Sequence, residues 1–244
     1  MSSPPFPSSL VLGSRSSSRP SILQNQRPYD ALCHYYNVSP IRAPPSPIPA
    51  SLDVQYLPRD GQPPTHLLVL IDPSTSAIPP IMAPIHQRSL VKGFHTNNFI
   101  PHSPSGSSLS APVPHRPPGA SHSAPLYLTL PTIQLIVPHP PSFPLLLLFA
   151  LRLERQLNLL AWNLLPAAVI SEFPDAAAMS QVFANPDVLD DAEFARNLSR
   201  NHGMWKNVLA LGPRDAKIVE MVQLVWSVTA EAKRIRASAI GRGR

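Results

Sequence analysis

The chain has 244 residues, a formal net charge of +6, 33 prolines and a single cysteine. One cysteine cannot form an intramolecular disulfide, which excludes a small disulfide-stapled secreted fold. The charge is uneven, at +4 over residues 1–144, −2 over 145–215 and +4 over 216–244. The basic balance therefore reflects a shortage of acids more than a clustered nucleic-acid footprint, which would need Lys and Arg gathered on one face.

Proline sets the organisation. Residues 1–144 carry 29 of the 33 prolines, roughly four times the ordinary frequency of about 5 %. Each one removes a backbone donor and fixes φ, so it ends helices and is kept out of central strands. The opening MSSPPFPSSLVLGSRSSSRP lacks the basic and continuous apolar regions of a secretory signal. Its prolines also break the amphipathic helix of a mitochondrial presequence. The expected location is intracellular, cytoplasmic or nuclear, with mitochondrial import less favoured.

Taken in chain order, Cys33-His34 beside Tyr35 and Tyr36 reads as a small apolar patch. APPSPIP (43–49) reads as polyproline II. HLLVLIDP (66–73) is a strand candidate ending in a turn. Ile85–Ile100 is the longest proline-free window of this part, but Gly93 and a polar run argue against a helix. LYLTLPTIQLIV (126–137) offers two short β-like words split by Pro131. Without hairpin turns between these words, they are expected to stay isolated.

After Pro144 the pattern changes. Residues 145–165 are proline-free and rich in helix formers, and Leu153, Leu157, Leu160 and Leu164 make one stripe of a single amphipathic helix. Asp175 reads as the N-cap of a second helix. Asp187 or Asp190 caps a third, with Gly203 as a candidate stop, and Gly212-Pro213 is a stop and restart. The last helix, over 215–240, carries an apolar stripe at Ile218, Met221, Val222, Val225, Val228, Ala232 and Ile235.

The fold class expected is a mainly α C-terminal region, a four- to five-helix unit over 145–240. Ahead of it stands a long, largely irregular Pro/Ser-rich region over 1–144 with at most short isolated strands. Residues 241–244 form a basic tail. The run PPSFPLLLLF (140–149) contains only the four residues that pyrimidine-only codons encode. It therefore also reads as a translated splice-acceptor tract, with residues 1–149 partly an artefact of gene prediction. A membrane span needs about 20 consecutive apolar residues; Leu145–Leu151 supplies seven before Arg152, so no span is expected.

The motif search points away from catalysis. The histidines show no ligand spacing with cysteines or acids. There is no nucleophile elbow and no phosphate-cradling glycine loop. Asp190-Asp191 with Glu193 suits a helix start better than acid–base work. No catalytic, cofactor-binding or metal residue and no cofactor is assigned. MSQVFANPDVLDDAEFARNL (179–198) is similar to the short helical repeats of co-chaperones and ubiquilins, but it occurs once and lacks their Met/Gln-rich grooves, so it implies no function here.

The function expected is that of a non-enzymatic helical module binding another protein through an apolar helix face, with Trp162, Trp205 and Trp226 as anchors. The alternative is peripheral binding to nucleic acid or anionic membrane through Lys233, Arg234, Arg236, Arg242 and Arg244. A further alternative is an orphan or wrongly assigned reading frame without selected function.

Overall fold

The computed structural model describes residues 21–23, 26–41, 47–73, 79–95 and 112–242, with side chains to Ala239. Four strands form one mixed sheet: β1 (Ser51–Tyr56), β2 (His66–Ile71), β3 (Ile81–Ile85) and β4 (Leu126–Ile136), in the spatial order β1-β4-β2-β3. β4 changes partner along its length. Its first half runs antiparallel to β1, from Leu126 opposite Tyr56 to Pro131 opposite Ser51. Its second half runs parallel to β2, from Thr132 opposite Leu67 to Ile136 opposite Ile71. β2 and β3 are antiparallel.

This sheet overturns the expected fold class. The segment read as irregular with isolated strands holds all four strands, and the reasons are physical. Pro131 sits at the changeover between two partners, and Thr132 next to it donates its N–H to Ala50 O at 2.9 Å. Pro84 lies on the edge strand β3, where a missing donor is tolerated. The parallel β2–β4 pair needs no hairpin but a long crossover, so the absence of tight-turn signals did not exclude it. His66–Leu70 of β2 is buried throughout, and a strand covered on both faces reads as a continuous apolar run.

The described residues also form eight α-helices: α1 (Pro28–Tyr35), α2 (Gln87–Gly93, inside the window that Gly93 was expected to keep from being helical), α3 (Phe143–Ala150), α4 (Leu157–Leu164), α5 (Ala167–Ile170), α6 (Ala176–Ala184), α7 (Asp191–Leu211) and α8 (Ala216–Arg242). A 3-10 turn at Pro140–Ser142 leads into α3. The capping signals at Asp175, Asp190 and Gly212 hold. Asp175 accepts N–H bonds from Ala177 and Ala178 at the start of α6. Asp190 caps α7, and Gly212 ends it in the left-handed region at φ +56°. Gly203 does not interrupt α7.

The helix expected over 145–165 is two helices instead. α3 stops at Ala150 and α4 begins at Leu157. All eight residues of α3 are buried; a helix apolar all round belongs at the centre of a core. α3 packs against α1 and α2 from the first part and α4 and α7 from the second. The buried apolar side chains form one continuous cluster, from Leu32 and Leu67–Leu70 through Leu145–Phe149 to Val225 and Ala232. Part of the polyproline stretch, residues 42–46, lies outside the described residues.

Candidate functional site

Two short helices end side by side and open a cleft. After α1, Asn37 takes the left-handed conformation at φ +57°, and Val38 N–H donates to Cys33 O at 3.0 Å. After α3, Arg152 does the same at φ +58°, and Leu153 N–H donates to Leu148 O at 2.9 Å. Both are Schellman-type stops built without glycine. A third wall comes from Arg59–Gln62 behind β1. There Gly61 has φ +146°, and a Cβ on it would lie 3.0 Å from Asn37 Nδ2. Asn37 holds this wall by donating from Nδ2 to Arg59 O at 3.3 Å.

The floor is organised by Glu154, which is 5 % exposed. Its Oε1 accepts the N–H groups of Arg155 at 2.8 Å and Gln156 at 2.9 Å. Its Oε2 accepts Ser21 Oγ–H at 2.7 Å and Ile22 N–H at 3.2 Å. With four donors on two oxygens, this carboxylate is an anchor. It ties the strap Ser21–Leu23 to the loop before α4.

The cleft has a volume of about 660 Å³, within the range of small-ligand sites. Arg59, Arg152 and Arg155 line it and are exposed. Among the described residues none of their guanidiniums has an ion-pair or hydrogen-bond partner. Asp60 is the exposed acid of the rim, and Tyr35, 41 % exposed, supplies an aromatic face. The two helix ends add roughly half a negative charge each. Asp60, Glu154 and the two helix ends together offset the three arginines, so discrimination rests not on net charge but on planar guanidinium forks, which match carboxylate and phosphate oxygens.

A second polar cluster lies at the carboxyl ends of β2 and β4. His139 Nδ1 is 2.9 Å from Ser142 Oγ. Asn207 Nδ2 donates to His139 O at 2.8 Å and to Ser142 Oγ at 3.1 Å, while its Oδ1 accepts His139 N–H at 3.0 Å. Burial holds the His139 imidazole below its ordinary pKa; Asp72 opposes this, and Lys206 and His202 reinforce it. A serine against a histidine resembles a nucleophile–base pair. Here, however, Ser142 is 3 % exposed and already receives Asn207, so the cluster is a clasp joining the end of β4 to α7.

The structure disperses the residues singled out from sequence. Trp162 on α4 is 54 % exposed, whereas Trp205 on α7 and Trp226 on α8 are half-buried. Trp226 stacks on His202 at 4.8 Å, and no ring contact joins two of the tryptophans among the described residues. Lys233 is exposed. Arg234 is exposed and pairs with Glu231, which holds that carboxyl below its usual range. Arg236 is committed to the fold: Nε donates to Ala184 O at 2.9 Å, Nη1 to Asp191 at 2.7 Å, and the guanidinium lies 4.0 Å over Phe194. The side chain of Arg242 and all of Arg244 lie outside the described residues.

Sequence reading missed the cleft, whose walls come from residues 22, 34–37, 59–62 and 152–156. The one local signal was Glu154, a lone acid directly after a seven-residue apolar run and two further residues. No helix among the described residues is long and apolar enough to cross a membrane, and no group of His, Cys, Asp and Glu among them could hold a metal ion. The chain matches no known protein family, no curated protein and no solved structure.

Proposed function

We propose that this chain is a non-enzymatic binding protein whose cleft, between the ends of α1 and α3, takes an acidic segment of a partner protein. One observation carries the reading: Arg59, Arg152 and Arg155 converge on a cavity of about 660 Å³ with no partner for their guanidiniums among the described residues. Unpaired arginine forks beside an exposed tyrosine suit carboxylate side chains on an extended peptide. The four donors on Glu154 commit it as an anchor, and the burial of Ser142 leaves its hydroxyl out of reach for attack.

The test is titration of the full chain with a fluorescent glutamate-rich peptide, read by anisotropy at low and high salt. Binding is expected to weaken with salt, as screening requires, and to disappear in the Arg59→Ala/Arg152→Ala/Arg155→Ala variant. Binding that survives the triple substitution refutes the site. A second reading is favoured by the exposure of Trp162, 54 % on α4. A half-free indole is an apolar anchor of the kind found at contact hot spots. Trp162→Ala would abolish partner binding under this reading and leave glutamate-peptide binding unchanged under the first. The polyanion reading of the α8 end loses Arg236 to intramolecular contacts; deletion of residues 233–244 with a salt titration on RNA and on anionic vesicles tests what remains of it.

A further inference from the structure

We propose that Ser21 is a phosphorylation site, and that its modification turns the strap Ser21–Leu23 into an intramolecular occupant of the arginine cleft. The idea rests on the reading of that cleft as a site for acidic groups. Leu23 is buried in the core at 6 % exposure and pins the strap at one end, while Ser21 and Ile22 are held among the described residues chiefly by Glu154. Ser21 Oγ–H donates to Glu154 Oε2 at 2.7 Å, Ile22 N–H reaches the same oxygen at 3.2 Å, and Leu23 N–H donates back to Ser21 Oγ at 3.0 Å. Glu154 accepts only, so its bond to Ser21 depends on the single hydroxyl proton. A phosphoserine has no such proton and carries close to two negative charges at neutral pH. It would face a buried carboxylate, 5 % exposed, whose other oxygen is already filled by Arg155 and Gln156 N–H groups.

The displaced phosphate has a destination close by. Ile22 lines the same cleft as Arg152 and Arg155, whose guanidiniums are unpaired among the described residues. Guanidinium–phosphate bonds carry charge on both partners, whereas the hydroxyl–carboxylate bond they replace carries it on the acceptor alone. Ser21 is only half-buried, and Arg19 stands two positions before it, which suits a kinase with an acidic substrate groove. The chemistry is ordinary phosphoryl transfer. A separate protein kinase brings a nucleoside triphosphate, and the Ser21 Oγ–P bond forms as the bond from the γ-phosphorus to the bridging β-phosphate oxygen breaks. The hydroxyl proton passes to the kinase's base, and the nucleoside diphosphate leaves. The phosphorylated strap then competes with an acidic partner, so the modification closes the site.

The experiment compares the full chain bearing genetically encoded phosphoserine at position 21 with the unmodified chain. Amide hydrogen exchange at Ile22 reports strap release, and anisotropy of the glutamate-rich peptide reports the cleft. Exchange at Ile22 is expected to accelerate by about tenfold or more, the scale of losing one or two hydrogen bonds. Peptide affinity is expected to fall by about tenfold or more, the scale set by new phosphate–guanidinium pairs. Unchanged exchange at Ile22, or faster exchange with unchanged peptide affinity, overturns the proposal. If the unmodified chain binds no peptide, the cleft reading fails, while the exchange arm still judges strap release by itself. Mass spectrometry of the protein from its own cells is expected to localise phosphate to Ser21; full coverage of that residue without phosphate also overturns the site.

Discussion

Gly203 offers the sharpest test of how the sheet and the long helices are joined. A glycine inside α7 costs about 1 kcal/mol relative to alanine, so Gly203→Ala on a free helix surface would stabilise. Here a Cβ at position 203 would lie 2.2 Å from His139 Cγ, 2.5 Å from Nδ1 and 2.7 Å from Cβ. The imidazole cannot simply swing aside. Its Nδ1 is 2.9 Å from Ser142 Oγ, and its backbone N–H and C=O are both bonded to Asn207. Relieving the clash must shift α7 or break bonds worth about 1 kcal/mol each, on top of overpacking costs of about 1–3 kcal/mol. After the propensity gain, a net loss of about 2–4 kcal/mol remains. For a chain of this length that lowers Tm by about 5–15 °C. The assay is urea and thermal unfolding of Gly203→Ala, His139→Ala and the double variant. In the His139→Ala background the same alanine should cost clearly less than in the wild type, since the ring atoms are gone while the Cβ at position 139, 2.7 Å away, stays. A neutral or stabilising Gly203→Ala in the wild-type background would refute the close approach of α7 to His139.

The shared core predicts that Leu68→Ala in β2 and Leu147→Ala in α3, both 0 % exposed, each lower the same single unfolding transition by about 2.7–5 kcal/mol; two separable transitions in circular dichroism would contradict it. Residues 145–244 alone should show no cooperative melt, because α3 would lose its contacts with α1 and α2. Burial is the first cause holding His66, His86, His139 and His202 below their ordinary pKa. The unfolded chain then takes up protons below pH about 6.5 that the folded chain refuses, so stability falls as pH drops through that value. A urea midpoint higher at pH 5.5 than at 7.5 would reverse the sign. Cys33 is 1 % exposed, and burial pushes its thiol up to about 11. Labelling by a disulfide reagent at pH 8 should track the unfolding rate, and rapid stoichiometric labelling of the native chain would contradict its burial.

What the sequence made legible was what is local. Asp175, Asp190 and Gly212 act within one helical turn of themselves, and each does what its residue type favours. The stripe from Ile218 to Ala232 is buried because its spacing alone fixes one helix face. The sheet was illegible for the opposite reason. β4 finds β1 and β2 some 60 to 80 residues upstream, and no turn motif records such a pairing. Proline abundance, taken as a count, says less than proline position. A proline forbids a donor at one position; Pro131 and Pro84 occupy positions where that costs little. The cleft was hidden for the same reason as the sheet, since its arginines come from loops at residues 59 and 152–155. Arg236 shows the converse error: a cation in a basic-looking tail proved to cap Ala184 O and stack on Phe194.

α3 explains why the two parts of the chain cannot be read separately. FPLLLLFA has no polar side, so no arrangement of α4 to α8 that covered one face would leave the other fit for water. Its remaining surface must be closed by apolar residues from elsewhere, and the chain holds them upstream, in Ala31–Cys33 of α1 and Leu90 of α2. Gly93 makes the approach close, since a Cβ there would stand 2.8 Å from Ala150 O. The same demand positions the cleft. Once α1 and α3 pack side by side, their C-terminal ends fall together, and Asn37 and Arg152 must each turn left-handed to leave. Glu154 then reaches two amides of its own loop and two donors of the strap. The arginines are left around an opening that core packing created, which is why the binding surface follows from the leucine run and not from any motif of its own.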